Sequence, residues 1–114
     1  MSLSKSIAKN ALIDVSGDAN NSAGVSTDGM LLAGIQFPAA MTGTAVTFDF
    51  SVDGTNFYDV KETDGTDVSY TVSAGDVVRV DPSGWAFASS GFLRVTSGSA
   101  EAADRDIKLI FRTA

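Results

Sequence analysis

Ala45-Val46-Thr47-Phe48-Asp49-Phe50-Ser51-Val52-Asp53-Gly54-Thr55-Asn56-Phe57-Tyr58-Asp59-Val60 is the stretch that decides the fold. Val46, Phe48, Phe50 and Val52 alternate with Thr47, Asp49 and Ser51. Successive side chains of a strand point to opposite sides of the pleat, so this period of two describes a strand with one face on a core. Asp53-Gly54 then supplies a tight turn, its glycine tolerating positive φ, and Phe57–Lys61 reads as the returning strand. Phe57 and Tyr58 are adjacent, so one ring faces the core and the other faces out.

The same pattern continues in both directions. Met30–Phe37 is a short apolar run stopped by Pro38. Val68, Tyr70 and Val72 alternate after a turn at Asp64-Gly65, and Val77–Asp81 follows Ala74-Gly75-Asp76 and ends at Pro82. Phe92–Thr96 and Asp106–Arg112 complete the set. Seven or eight short strands about 8–12 residues apart predict an all-β, antiparallel β-sandwich. The strand phases predict a core of Leu31, Ala33, Ile35, Phe37, Val46, Phe48, Phe50, Val52, Val78, Val80, Leu93, Val95, Ile107, Leu109 and Phe111.

Residues 1–28 read differently from residues 29–114, the expected sandwich domain. Residues 16–28 are small and polar, with Val25 the one sizeable apolar side chain; such a segment buries too little to offset its backbone entropy. Residues 1–28 are therefore expected to form an N-terminal arm and polar loop. Lys5 and Lys9 make the arm basic on an otherwise acidic chain. Ala11–Val15 either adds a strand to a neighbouring molecule or forms the first strand of the chain's own sandwich. If residues 1–10 belong to an arm, deleting them leaves the fold intact and weakens binding to the partner.

Composition narrows the chemistry. The 114 residues suit one domain. A net charge of −6 argues against nucleic acid, which requires clustered Lys and Arg, and against anionic membranes. The chain has no cysteine and no histidine, so disulfides, thiolate metal sites and Ser–His–Asp or Cys–His centres are excluded. No apolar run approaches the ~20 residues that cross a bilayer as a helix, and the first ten residues lack the apolar segment of a secretory signal.

The twelve Asp and two Glu invite two other readings. Asp53, Asp59, Asp64 and Asp67 lie at turns where calcium ligands sometimes sit, yet Asp-Gly is also the ordinary choice for hairpin turns and no EF-hand Glu follows. Paired carboxylates can hydrolyse glycosides, but these ones lie at turns and on polar strand faces, where they stay ionised. No enzyme, cofactor or metal is expected. The aromatic loop Pro82-Ser83-Gly84-Trp85-Ala86-Phe87 either plugs one end of the sandwich or meets a partner; Phe87 is taken as a plug and Trp85 is left open. Arg79, Arg94 and Arg112 fall on polar strand phases, where pairing with Asp49 or Asp81 across a sheet is the default. Lys5, Lys9, Tyr58, Trp85 and Phe92 are the candidate contact residues.

Two resemblances follow from these residues. Thr47–Val60, with its Ser51-Val52-Asp53-Gly54 element and following aromatics, resembles discoidin-like (galactose-binding-like) jelly rolls, which implies a jelly-roll-like sandwich. The succession Gly34–Ala40, Ser51–Gly54, Asp64-Gly65, Val80–Pro82, Phe92–Gly98 and Ala102–Ile107 resembles a small structural protein of tailed bacteriophages. That resemblance implies a capsid decoration (cement) protein, assembled in the bacterial cytoplasm and residing on the virion surface. Its expected partners are the major capsid protein and itself, most simply as a homotrimer at local threefold axes. The alternative is a carbohydrate-binding or host-contact module on a head or tail appendage.

Overall fold

The computed structural model describes residues 5–113. Nine strands are formed among them: β1 (Ser6–Ile13), β2 (Val25–Ser26), β3 (Met30–Gln36), β4 (Ala45–Ser51), β5 (Tyr58–Asp59), β6 (Ser69–Thr71), β7 (Val77–Arg79), β8 (Phe92–Ser97) and β9 (Arg105–Thr113), with one 3-10 helix at Pro82–Ala88. They make two antiparallel sheets. One has the order β1-β9-β3-β7; the other has β2-β8-β4-β5, with β6 pairing further along β4. Strands adjacent in sequence mostly lie in opposite sheets, which is jelly-roll winding. The expected class is thus observed.

The core is the layer between the sheets. Ile35, Phe37, Val46, Phe48, Val80, Leu93, Val95, Ile107, Leu109 and Phe111 are buried, as their alternation predicts, and Ala11, Ile13, Val25, Leu32, Val60, Trp85 and Ala88 join them. Other expected core positions differ. In β3, Leu32 is buried, while Leu31 and Ala33 are only partly so. The register against β9 slips between Leu32 and Gly34, and the resulting bulge moves the buried positions off simple alternation. Phe50 and Val78 are half-buried. Val52 lies one residue beyond β4 and is 80% exposed, because the Asp53-Gly54 turn has already taken over the backbone.

The boundary expected after residue 28 has no counterpart. In place of an arm, β1 pairs with β9 along its whole length, from Ser6 opposite Arg112 to Ile13 opposite Arg105. The polar segment after it lies along β8: Ser22 N–H donates to the Val95 carbonyl at 2.8 Å, Val95 N–H donates to Ser22 Oγ at 3.0 Å, and Ser97 N–H donates to the Asn20 carbonyl at 2.7 Å. A segment poor in apolar side chains is held here by main-chain hydrogen bonds, which composition does not reveal.

A buried carboxylate ties the far loops together. Glu101, in the loop between β8 and β9, accepts from Thr42 N–H and Gly43 N–H, both at 2.8 Å, from Ser97 Oγ at 2.7 Å and from Arg105 Nε at 2.8 Å. Gly43 must be glycine, since a Cβ there would lie 2.2 Å from Ser97 Oγ. Burial alone would push the Glu101 carboxyl up; the Thr42 amide, the Arg105 guanidinium, the Gly43 amide and the Ser97 hydroxyl outweigh it and hold the pKa at about 2.

Three measurements check this account. Phe48→Ala is expected to cost about 3–5 kcal/mol in a denaturant titration, and Val52→Ala close to nothing. Deleting residues 1–10 removes the first five of the eight residues of β1 and is expected to lower the melting temperature sharply; an unchanged value would return those residues to an arm. Because Glu101 is depressed in the folded state, its contribution is complete above the unfolded carboxyl's range near 4.5 and is lost as pH falls toward about 2. Glu101→Ala, which strands Arg105, is expected to cost about 3–5 kcal/mol at neutral pH and to flatten the stability profile over that acid range.

Candidate contact surface

The turns explain where the carboxylates go. Asp53 Oδ1 accepts from Thr55 N–H at 2.8 Å and Asn56 N–H at 2.9 Å, and Ser51 Oγ donates to the same oxygen at 2.8 Å. Led by the Asn56 and Thr55 amides, these bonds hold Asp53 well below the ordinary carboxylate range. Asp64 accepts from the hydroxyl and N–H of Thr66 at 2.7 and 3.0 Å, which also lowers it. Each carboxylate serves its own turn. No group of three or more Asp and Glu converges to hold a metal ion among the described residues.

One side of the sandwich is closed by the 3-10 helix. Asp81 caps it, accepting from Ser83 N–H at 3.1 Å, and Pro82 occupies its first turn. Trp85 is driven inward until only 3% is exposed. Its ring meets Phe48 edge-on at 5.0 Å between centroids, and its Nε1–H donates to the Tyr70 hydroxyl at 3.1 Å. Phe87, two residues on, emerges on the surface at 56% exposed, lying on Trp85 at 5.8 Å and edge-on to Phe50 at 5.5 Å. Phe87 is thus not the plug that the sequence suggested, and Trp85, which the sequence left open, takes that place. Trp85 is the plug and Phe87 is the surface ring.

Beside this helix an apolar mouth opens between it and the ends of β4 and β5. Phe50, Val52, Tyr58, Val60 and Phe87 line a groove of about 420 Å³, with Asp59 and Lys61 on its rim. Tyr58 is 73% exposed. It stands opposite Phe50 on the paired strand, so it follows the inward phase, but β5 is the last strand of its sheet and nothing covers the ring from the other side. Asp59 faces Asp49 across the same pair, and the neighbouring Asp49 carboxylate pushes the Asp59 pKa up. Large exposed apolar side chains gathered at one mouth are the surface feature most suited to a partner.

The other candidates lie away from the mouth, and all but the Lys5 side chain are engaged within the chain. Lys9 pairs with Asp28, donates to the Ser26 carbonyl at 2.7 Å and lies over the Phe111 ring at 5.8 Å. Lys5 leads into β1, its carbonyl accepting from Thr113 N–H at 3.0 Å, and its side chain remains at the surface. Phe92 is half-buried against the Gly54 turn, where a Cβ would meet its ring at 3.1 Å. Phe57 is half-buried under the Arg94 guanidinium, 4.6 Å away, and Arg94 in turn pairs with Asp49, as cross-strand pairing predicts. Of Lys5, Lys9, Tyr58, Trp85 and Phe92, only Tyr58 belongs to the mouth's lining. Phe87 and Val52 were missed because a 3-10 turn and a strand end both break the alternation.

No protein-family model matches the chain, and no curated protein matches it. Among solved structures it is similar to the crystal structure of SPBc2 prophage-derived protein YomS. The two are 11% identical, and the match covers 99% of this chain and 97% of that one with a TM-score of 0.56. At that identity the likeness is one of fold, over the full length of both chains.

The single tryptophan makes the plug measurable. Its fluorescence is expected to be that of a buried indole and insensitive to aqueous quenchers. Tyr70→Phe, which removes the indole's hydrogen-bond partner, is expected to cost about 1 kcal/mol; a solvent-like emission from the wild-type protein would contradict the plug.

Proposed function

We propose that this chain is a structural protein of a bacteriophage virion that binds the outside of the capsid as a decoration, or cement, protein. The observation that carries the proposal is the full-length likeness of fold to a prophage-derived protein, joined to the sequence resemblance to small structural proteins of tailed phages. The apolar mouth supports it. A protein that stabilises a shell needs a rigid fold and a complementary patch, and Tyr58, Phe87 and Val52 supply exposed apolar area beside a polar rim. Repetition of one small contact over a lattice gains strength through effective concentration.

A second reading rests on the same groove. Exposed Tyr58 and Phe87 rings beside Asp59 are also suited to stacking on and hydrogen bonding a sugar, as in a host-contact module on a head or tail appendage. Copy number separates the two. A decoration protein is expected in proportion to the major capsid protein in purified particles, whereas an appendage protein is expected in a handful of copies at one site. Tyr58→Ser combined with Phe87→Ser is expected to leave melting close to wild type and to weaken shell binding at least tenfold. Retention of full binding by the double variant would remove the mouth from the interface.

A further inference from the structure

Both edges of the β1-β9-β3-β7 sheet are open, and they are unlike in charge. Thr113 N–H donates to the Lys5 carbonyl, which fixes the hydrogen-bonding parity of β1. Ile7, Lys9 and Ala11 turn their main-chain groups toward β9, while Ser6, Ala8, Asn10 and Leu12 turn theirs outward. Only the last of these is covered from the side, where the Leu12 carbonyl accepts from Ala23 N–H at 3.3 Å. On β7, Phe37 N–H donates to the Asp76 carbonyl and Val80 N–H to the Ala33 carbonyl, each at 3.0 Å. Val77 and Arg79 therefore present their main-chain groups outward, and Val77 is 55% exposed.

On β1 the usual guards of a free edge are absent or disarmed. Ser6, Ala8 and Asn10 are small and uncharged. Lys9, the one charge within β1, is folded back onto Asp28 and Phe111 instead of projecting from the edge. Lys5, Lys9, Arg105, Lys108 and Arg112, five of the eight basic residues, lie on β1 and β9 or directly adjoin them, against Asp14, Asp104 and Asp106, so this side is net basic. β7 carries the exposed Arg79, bracketed by the exposed carboxylates of Asp76 and Asp81, and is net acidic. On a chain of net charge −6, the basic edge is the place where a second copy's acidic edge meets attraction.

We propose that copies of this chain associate head to tail, β1 of one molecule pairing with β7 of the next to continue the sheet. The strands alternate in direction across β1, β9, β3 and β7, so β7 runs opposite to β1. A copy placed alongside in the same orientation thus meets its neighbour antiparallel. Pairing β1 with another β1 would instead bring two basic edges together. A head-to-tail contact that closes gives a ring, and one that does not gives a filament. The inference is independent of the virion reading, since it concerns the isolated protein.

Edge prolines test it, because proline removes an outward N–H and is tolerated on edge strands. Native mass measurement of the wild-type protein is expected to show an oligomer that dissociates as salt is raised. Ala8→Pro and Val77→Pro, each confirmed as folded by its melting transition, are each expected to be monomeric. Mixed together they are expected to form a dimer, since one retains an intact β7 edge and the other an intact β1 edge. Should either proline variant fail to fold, Lys108→Glu on β9, whose ammonium reaches Asn10 on β1, and Asp76→Lys beside β7 are expected to weaken association singly and to restore it when mixed. A monomeric wild type overturns the proposal. So does unimpaired association of Val77→Pro, which would indicate β1 pairing with β1, and so does a mixture no larger than its components.

Discussion

The indole of Trp85 is the constraint on which the surface of this molecule depends. It fills the open side of the sandwich, stacked edge-on against Phe48 and hydrogen bonded through Nε1 to Tyr70. An apolar body with one polar tip can be buried there only if that tip finds a partner, and Tyr70 on the short β6 is placed to provide it. The 3-10 geometry of Pro82–Ala88 then leaves Phe87 no room inside. It is set instead on top of Trp85 and beside Phe50. The apolar mouth is thus a consequence of how the core is closed: the plug goes in, and the next ring is pushed out next to Tyr58.

The two sheets divide the remaining work. The sheet of β2, β8, β4, β5 and β6 carries the polar segment Asn20–Ser22 along β8 and the Arg94–Asp49 pair beside Phe57. The opposite sheet is tied at its far loops by Glu101 and keeps both edges open. On the two proposals above, the mouth would meet a shell and the sheet edges would meet neighbouring copies, so that no surface serves both purposes.

Much of the fold was legible in the sequence because β4, β8 and β9 alternate without interruption. Phe48, Leu93, Val95, Ile107, Leu109 and Phe111 are buried as their phase requires. Misplacements arose where something other than alternation sets the side-chain direction. A bulge exchanged Leu31 and Ala33 for Leu32, and a turn carried Val52 outward. Residues 5–28 were misread for a different reason, residues 1–4 of the expected arm lying outside the described residues. Ser, Asn and Gly carry little apolar area, so composition describes an arm, yet their main-chain groups pair with β8 and β9. Of the candidate contacts, Tyr58 was found from its place beside Phe57. Phe87 was misplaced and Trp85 left open because residue type does not tell which of two rings in a short helical turn will be inside.

The central claim is that the mouth formed by Tyr58, Phe87 and Val52 is the surface this protein presents to a phage shell. Hydroxyl-radical footprinting of the free protein and of intact particles tests it directly, since aromatic side chains report their own exposure. The account predicts that Tyr58 and Phe87 label readily in the free protein and become protected on the particle, with Trp85 unreactive in both. Equal labelling of Tyr58 and Phe87 in the two states would contradict it.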